Sequence, residues 1–250
     1  MDAPKRSLKP LKYVLLVVAT FIVLQAVMVV IHEFSHSTVA WMLGYMRSPL
    51  DIVWGNPLTL RGWDEGVHYK EFFAPDHHHP AEAIIGVCPL IVHAIIVILG
   101  LIMMRKEWML PKKWLFHVLF WFTLVNFMEL FAYITMGSFL PYGDMGHFNR
   151  GVGIPPWIMY IVGTLAMIPG LYILFWDVLP RMQTAFAKDD RLIEWASLVL
   201  AAFLLFVWGS SGRVAYNLYP NPQWMFCFLG FAAYAIVLYC CNPSRRHAAR

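Results

Sequence analysis

Charge is what this sequence has least of. Only 14% of its 250 residues are Asp, Glu, Lys or Arg, where a soluble domain carries roughly a quarter. That shortfall excludes a soluble globular protein. A mean hydropathy of +0.59, with 60% hydrophobic and 16% aromatic residues, excludes a disordered chain as well. Cysteine is also scarce. The four present (Cys88, Cys227, Cys240 and Cys241) show no Cys-x-x-Cys spacing and sit in or beside apolar runs, so they read as buried small hydrophobes rather than a disulfide framework or a thiolate metal site. There is no polybasic tract, hence no expectation of nucleic acid. Internal repeats are absent, and the one biased stretch, His77-His78-His79, reads as a solvated loop tip.

What the chain does have is long apolar runs. They recur at Leu11–Tyr45, Glu82–Met104, Trp114–Phe139, Trp157–Leu179, Leu192–Gly212 and Trp224–Cys241. At ~20 residues per span, these read as about six transmembrane helices of an all-α integral membrane protein. The first is basic at its start and too long for a cleaved signal peptide, so it reads as a retained helix. Pro155-Pro156 opens the fourth span, Pro180 is expected to close it, Pro169-Gly170 to kink it, and Asn242-Pro243 to stop the sixth. With six spans the termini share a side. Fourteen Lys and Arg residues then fall on that side and five on the other, which predicts cytoplasmic termini and an outer first loop, Met46–Pro80.

Within the first run stands His32-Glu33-Phe34-Ser35-His36. On a helix, positions i and i+4 share a face, so both imidazoles can reach one Zn²⁺, and Glu33 is placed to act as general base on a water. Two histidines and a glutamate inside a membrane helix cost several kcal/mol unless partnered, which makes a functional cluster the default reading. Straight, this helix would run ~50 Å, longer than the ~30 Å hydrocarbon layer, so it either projects or breaks.

A hydrolytic zinc site needs a third protein ligand and an open position. His93, His117 and Asp177 are candidates by type, but His117 and Asp177 fall near the cytoplasmic ends of their spans. Asp144 leads, because Pro141-Tyr142-Gly143 breaks the third span at the depth of the histidines and can aim a carboxylate inward. His147 comes next and Glu129 third. Glu129 shares a face with Asn126, and the two are placed to line the cavity.

These stretches resemble the site-2 protease family of intramembrane zinc metalloproteases. His32 to Gly44 looks like that family's first core helix, and Gly55-Asn56-Pro57-Leu58 resembles its Gly-x-Pro-Leu loop, which forms a strand element near the active site. Gly86-Val87-Cys88-Pro89-Leu90 is similar to its second-span Gly-Pro-Leu segment, and Pro141-Tyr142-Gly143-Asp144-Met145-Gly146 to its Pro then Asp-Gly pattern. The chain diverges where the family's second-span Asn falls on Val92, beside His93, and where Met145 separates Asp144 from Gly146.

The resemblance implies one zinc per chain on His32, His36 and Asp144, with Glu33 as catalytic base. Gly55, Asn56 and Pro57 would help position substrate, and Asn126 joins them from its helix face alone, because the family's Asn before the Pro would fall near Ser138. Residues 1–150 would form the metalloprotease-like core with an irregular or β-strand loop after the first helix, and 151–250 three additional helices. The expected activity is hydrolysis of peptide bonds in a membrane-protein or membrane-adjacent substrate, within or next to the bilayer. The alternatives are a non-proteolytic metalloprotein serving as scaffold or transporter, and a membrane di-iron desaturase or hydroxylase. The last would need several histidine boxes on the cytoplasmic side.

Overall fold

The computed structural model describes residues 9–56, 62–73, 78–187, 190–211 and 223–244. The first helix, α1 (Lys9–Met42), is unbroken. It holds no glycine and no proline after Pro10, so nothing interrupts its hydrogen-bond ladder, and of the two options for this long run it projects. Tyr13, Val17, Phe21, Gln25, Met28, His32, His36 and Ala40 lie on its buried face, at the three-to-four-residue spacing of one helix stripe. Leu15, Val18, Ile22, Val23 and Val27 on the other faces are exposed. A helix that buries its polar groups and exposes its aliphatic ones is built for lipid.

The first loop closes back on α1. Ser37 donates its hydroxyl to the Pro49 carbonyl at 2.8 Å. Val53 and Asp64 form an isolated antiparallel bridge. Among the described residues the strand expected after the first helix is reduced to that pairing, and Pro57 and Leu58 lie outside them. A single turn, α2 (Tyr69–Phe72), precedes α3 (Pro80–Met104). After a short 3₁₀ turn comes α4 (Lys113–Leu130), which widens into a π turn, Phe131–Met136. The chain then breaks and restarts as α5 (Gly143–Val152). That break falls where Pro141 and the glycines predict it, and Gly143 takes a left-handed φ of 71°.

The second part consists of α6 (Pro156–Tyr172), α7 (Leu179–Ala187), α8 (Arg191–Phe203) and α9 (Gln223–Cys240). Pro180 does not end the fourth span. The π turn Ile173–Val178 widens the helix just before the ring, so the missing N–H is absorbed and the span continues to Ala187. Among the described residues five helices are long and apolar enough to cross a membrane, and the sixth expected span falls on the shorter apolar part of α9, Phe228–Cys240. Of the cysteines with described side chains, Cys241 is buried, Cys88 half-buried and Cys240 exposed, all as free thiols.

α4 is the hub. Phe116, Phe120, Trp121, Leu124, Phe127 and Met128 are fully enclosed, packed in one core with side chains from α1, α3 and α6 to α9. One end of the bundle gathers basic loops: Arg105 and Arg181 both hold Asp177, at 2.7 and 2.8 Å, and Tyr13 near the start of α1 donates to Met182 Sδ at 3.4 Å. His117 lies towards this same end, against Thr20. His32 stands 19 residues along α1 from Tyr13, which is about 28 Å at 1.5 Å per residue.

Candidate metal centre

Three helices converge on one point. α1 supplies His32 and His36, and α5 folds back to supply Asp144. His32 Nε2 is 3.2 Å from Asp144 Oδ2, and His36 Nε2 is 3.4 Å from Oδ1. The three side chains are buried, and one ligand atom from each lies within 4.8 Å of the others. Asp144 is held ionised: burial pushes its carboxyl up, but the facing imidazoles pull it further down, well below the usual carboxylate range.

α3 makes this close approach possible. A Cβ on Gly86 would stand 2.8 Å from the Asp144 carbonyl oxygen and 2.9 Å from His147 Cβ, so only glycine lets α5 lie this close to α3. Gly146 does the same on the other side, because a Cβ there would meet the Leu140 carbonyl at 2.7 Å. That contact explains the spacing in Asp144-Met145-Gly146: the buried Met145 joins the core while the next residue must be small.

The rings are oriented by their other nitrogens. His36 Nδ1–H donates to the Ile85 carbonyl at 2.7 Å. That carbonyl is available because its helical partner would be the N–H of residue 89, which is proline. His32 Nδ1 lies 3.0 Å from His93 Nε2, and His93 Nδ1 lies 2.7 Å from Asn126 Oδ1. Carbonyl oxygens only accept, so His36 carries a proton on Nδ1 and turns Nε2 toward Asp144.

Does this donor set fit a metal ion? Asp144 Oδ2 is buried and has no hydrogen bond of proper geometry, although His32 Nε2 is 3.2 Å away. A charge-assisted hydrogen bond would be shorter, about 2.7–2.9 Å. Tetrahedral zinc with bonds of about 2.0–2.1 Å places its ligand atoms about 3.3–3.4 Å apart, close to both contacts. Two buried imidazoles and a carboxylate gathered this closely can hold a metal ion.

The other expected residues fall as follows. Glu33 is buried beside the group, within electrostatic reach of His32, His36 and Asp144. His147 does not join it. Its Nδ1 is 2.7 Å from the buried Glu82, whose carboxylate also takes Arg150, and its ring stacks on Tyr69 at 3.6 Å. Burial and the nearby Arg150 hold the His147 ring below its usual range. Glu129 is enclosed on α4, outside the three-ligand group and within electrostatic reach of His93. Asn126 is likewise engaged by neighbouring groups. Its oxygen takes His93 and its amide donates to the Phe122 carbonyl at 2.7 Å, so both ends are committed within the protein.

Gly55 and the exposed Asn56 follow Trp54, whose ring meets Phe34, next to Glu33, at 6.4 Å. Glu65, which no sequence pattern singles out, comes from the same loop into the electrostatic neighbourhood of Glu33 and His36. Behind His32 stands Tyr133 of the π turn, stacked on its ring at 5.2 Å. The signal for the Ile85 contact was in the sequence, as a proline four residues on. Nothing local announced the pairing of His93 with His32, which depends on how α1, α3 and α4 cross. Comparison with protein-family models, with curated proteins and with solved structures returned no match.

Proposed function

We propose that the chain is a zinc-dependent membrane endopeptidase of the site-2 protease type, cleaving peptide bonds within or beside the bilayer. The observation that carries the reading is the convergence of His32, His36 and Asp144 at 3.2 and 3.4 Å, with Glu33 buried alongside. These three side chains would hold the ion, which when bound polarises the scissile carbonyl and acidifies water. Three protein ligands leave a tetrahedral position open, as hydrolysis requires and a purely structural site does not.

Glu33 then takes the proton of the attacking water and returns it to the leaving amine. The substrate is a membrane-spanning or membrane-adjacent segment, unwound so that its backbone is accessible. The first loop, with Val53, Trp54 and Asn56 exposed beside α1, offers an extended backbone for it to pair with. The basic end of the bundle faces the cytoplasm with both termini, which puts the metal centre in the outer half of the membrane.

The test is hydrolysis in ¹⁸O water. The protein is reconstituted in lipid vesicles with a mixture of membrane-spanning peptides, and products are read by mass spectrometry. The reading expects ¹⁸O in each new carboxylate, dependence on zinc, and a loss of about 10²–10⁴-fold in Glu33→Gln. Unchanged turnover in Glu33→Gln, or iron as the bound metal, would sink it.

A further inference from the structure

His93 lies inside the bundle with no solvent exposure, yet it is not one of the metal ligands. Its two ring nitrogens are both engaged, one with Asn126 and one with His32. The direction of each bond follows from chemistry. Asn126 donates through Nδ2 to the Phe122 carbonyl, so the atom facing His93 is Oδ1. Flipping the amide would set its oxygen against the Phe122 carbonyl and lose that bond.

Oδ1 only accepts, so His93 Nδ1 holds the proton, and in the neutral ring His93 Nε2 is an acceptor. The partner it accepts from is His32 Nδ1–H. In the neutral ring that leaves His32 Nε2, which faces Asp144, without a proton and open to a metal. The opposite arrangement, with His93 donating to His32, would put the His32 proton on Nε2 and close the position to a metal.

We propose that His93, oriented by Asn126, is a positioning residue that fixes the proton of His32 on Nδ1 and so presents Nε2 to the metal. This rests on the metal-centre reading of His32, His36 and Asp144. It also distinguishes the two ligand histidines. His36 is fixed by a backbone carbonyl, which no side-chain replacement removes, whereas His32 is fixed by a side chain on α3 that is itself fixed by a side chain on α4. Stacking of His32 on His93 at 5.3 Å and on Tyr133 at 5.2 Å restrains the ring plane but not the tautomer. The Asn126–His93–His32 chain sets the latter, against the pull of the Asp144 carboxylate on Nε2.

The experiment measures the tautomer in the metal-free, full-length protein labelled with ¹⁵N histidine in lipid nanodiscs. The His32 signals are assigned by their disappearance in His32→Ala. Wild type is expected to show His32 protonated at Nδ1. His93→Leu removes the acceptor, and His32 is expected to shift toward Nε2–H, the form a free histidine favours in water. A second variant that keeps the wild-type pattern separates the effect from general damage to the bundle. His93→Gln, whose carbonyl can accept from His32, is expected to restore it.

Zinc affinity, measured by chelator competition, should fall about 10–100-fold in His93→Leu and recover in His93→Gln. Persistence of Nδ1–H on His32 in His93→Leu overturns the proposal, as does equal loss of affinity in the Leu and Gln variants. A wild type that takes up no metal, yet loses the Nδ1–H form in His93→Leu, supports the positioning while refuting the peptidase reading.

Discussion

The helices from α1 to α5 and those from α6 to α9 pack into one core but are stocked differently. Fifteen of the seventeen buried polar or charged side chains among the described residues belong to the first group, and only Gln183 and Ser197 to the second. The outward surface of α6 is aliphatic instead: Ile158, Ile161, Val162, Leu165 and Ile168 are all exposed. Two parts of one membrane bundle thus answer to different demands. The first accepts the cost of dehydrating charge and offsets it pairwise, Glu82 with Arg150 and Asp144 with two imidazoles. The second needs only to hold α4 in place from behind.

Single-atom changes of the same kind in the two parts should therefore differ in what they disturb. Gly86→Ala puts a methyl group against the Asp144 backbone, which cannot rotate away, so α5 must move with its ligand. We expect zinc affinity to fall by about tenfold or more and stability by about 1–3 kcal/mol. Gly209→Ala, in the second part, meets the flexible Met128 side chain instead. Chelator competition on both variants checks this, and equal losses of affinity would erase the distinction between the two parts.

Pro89→Ala restores an N–H four residues after Ile85, which then competes with His36 for the same carbonyl. A smaller loss of zinc affinity is expected, about tenfold at most, with the helix itself stabilised. Calorimetry and metal titration together would show the opposed signs. Asp177→Asn lies at the far end, where the carboxylate and both arginines are partly exposed. Its effect on unfolding in detergent should be within about 1 kcal/mol, with no change in metal binding.

How much of this was legible beforehand differs by element. The spans followed from apolar run length, and the break before α5, though not α5 itself, from the proline and glycines at the end of the third span. The His32/His36 pair followed from helical spacing, and Asp144 from depth. The end of the fourth span did not follow, because a π turn lets a helix absorb Pro180, and whether such a turn forms depends on neighbouring helices. The partners of Asn126 and His147 were not legible for a related reason. A polar residue at the right depth lines a cavity unless another buried side chain claims it first, and His93 and Glu82 do so from a different helix. Sequence spacing reports which residues share a face of one helix; it carries no register between helices.

The central claim is that His32, His36 and Asp144 form one metal centre. The most direct measurement is metal content per chain of the purified protein, in wild type and in Asp144→Ala, alongside Asp177→Asn as a carboxylate removed elsewhere. We predict about one zinc in wild type and Asp177→Asn and a clear loss in Asp144→Ala. A wild type without stoichiometric divalent metal, or an Asp144→Ala variant that keeps it undiminished, would contradict the account.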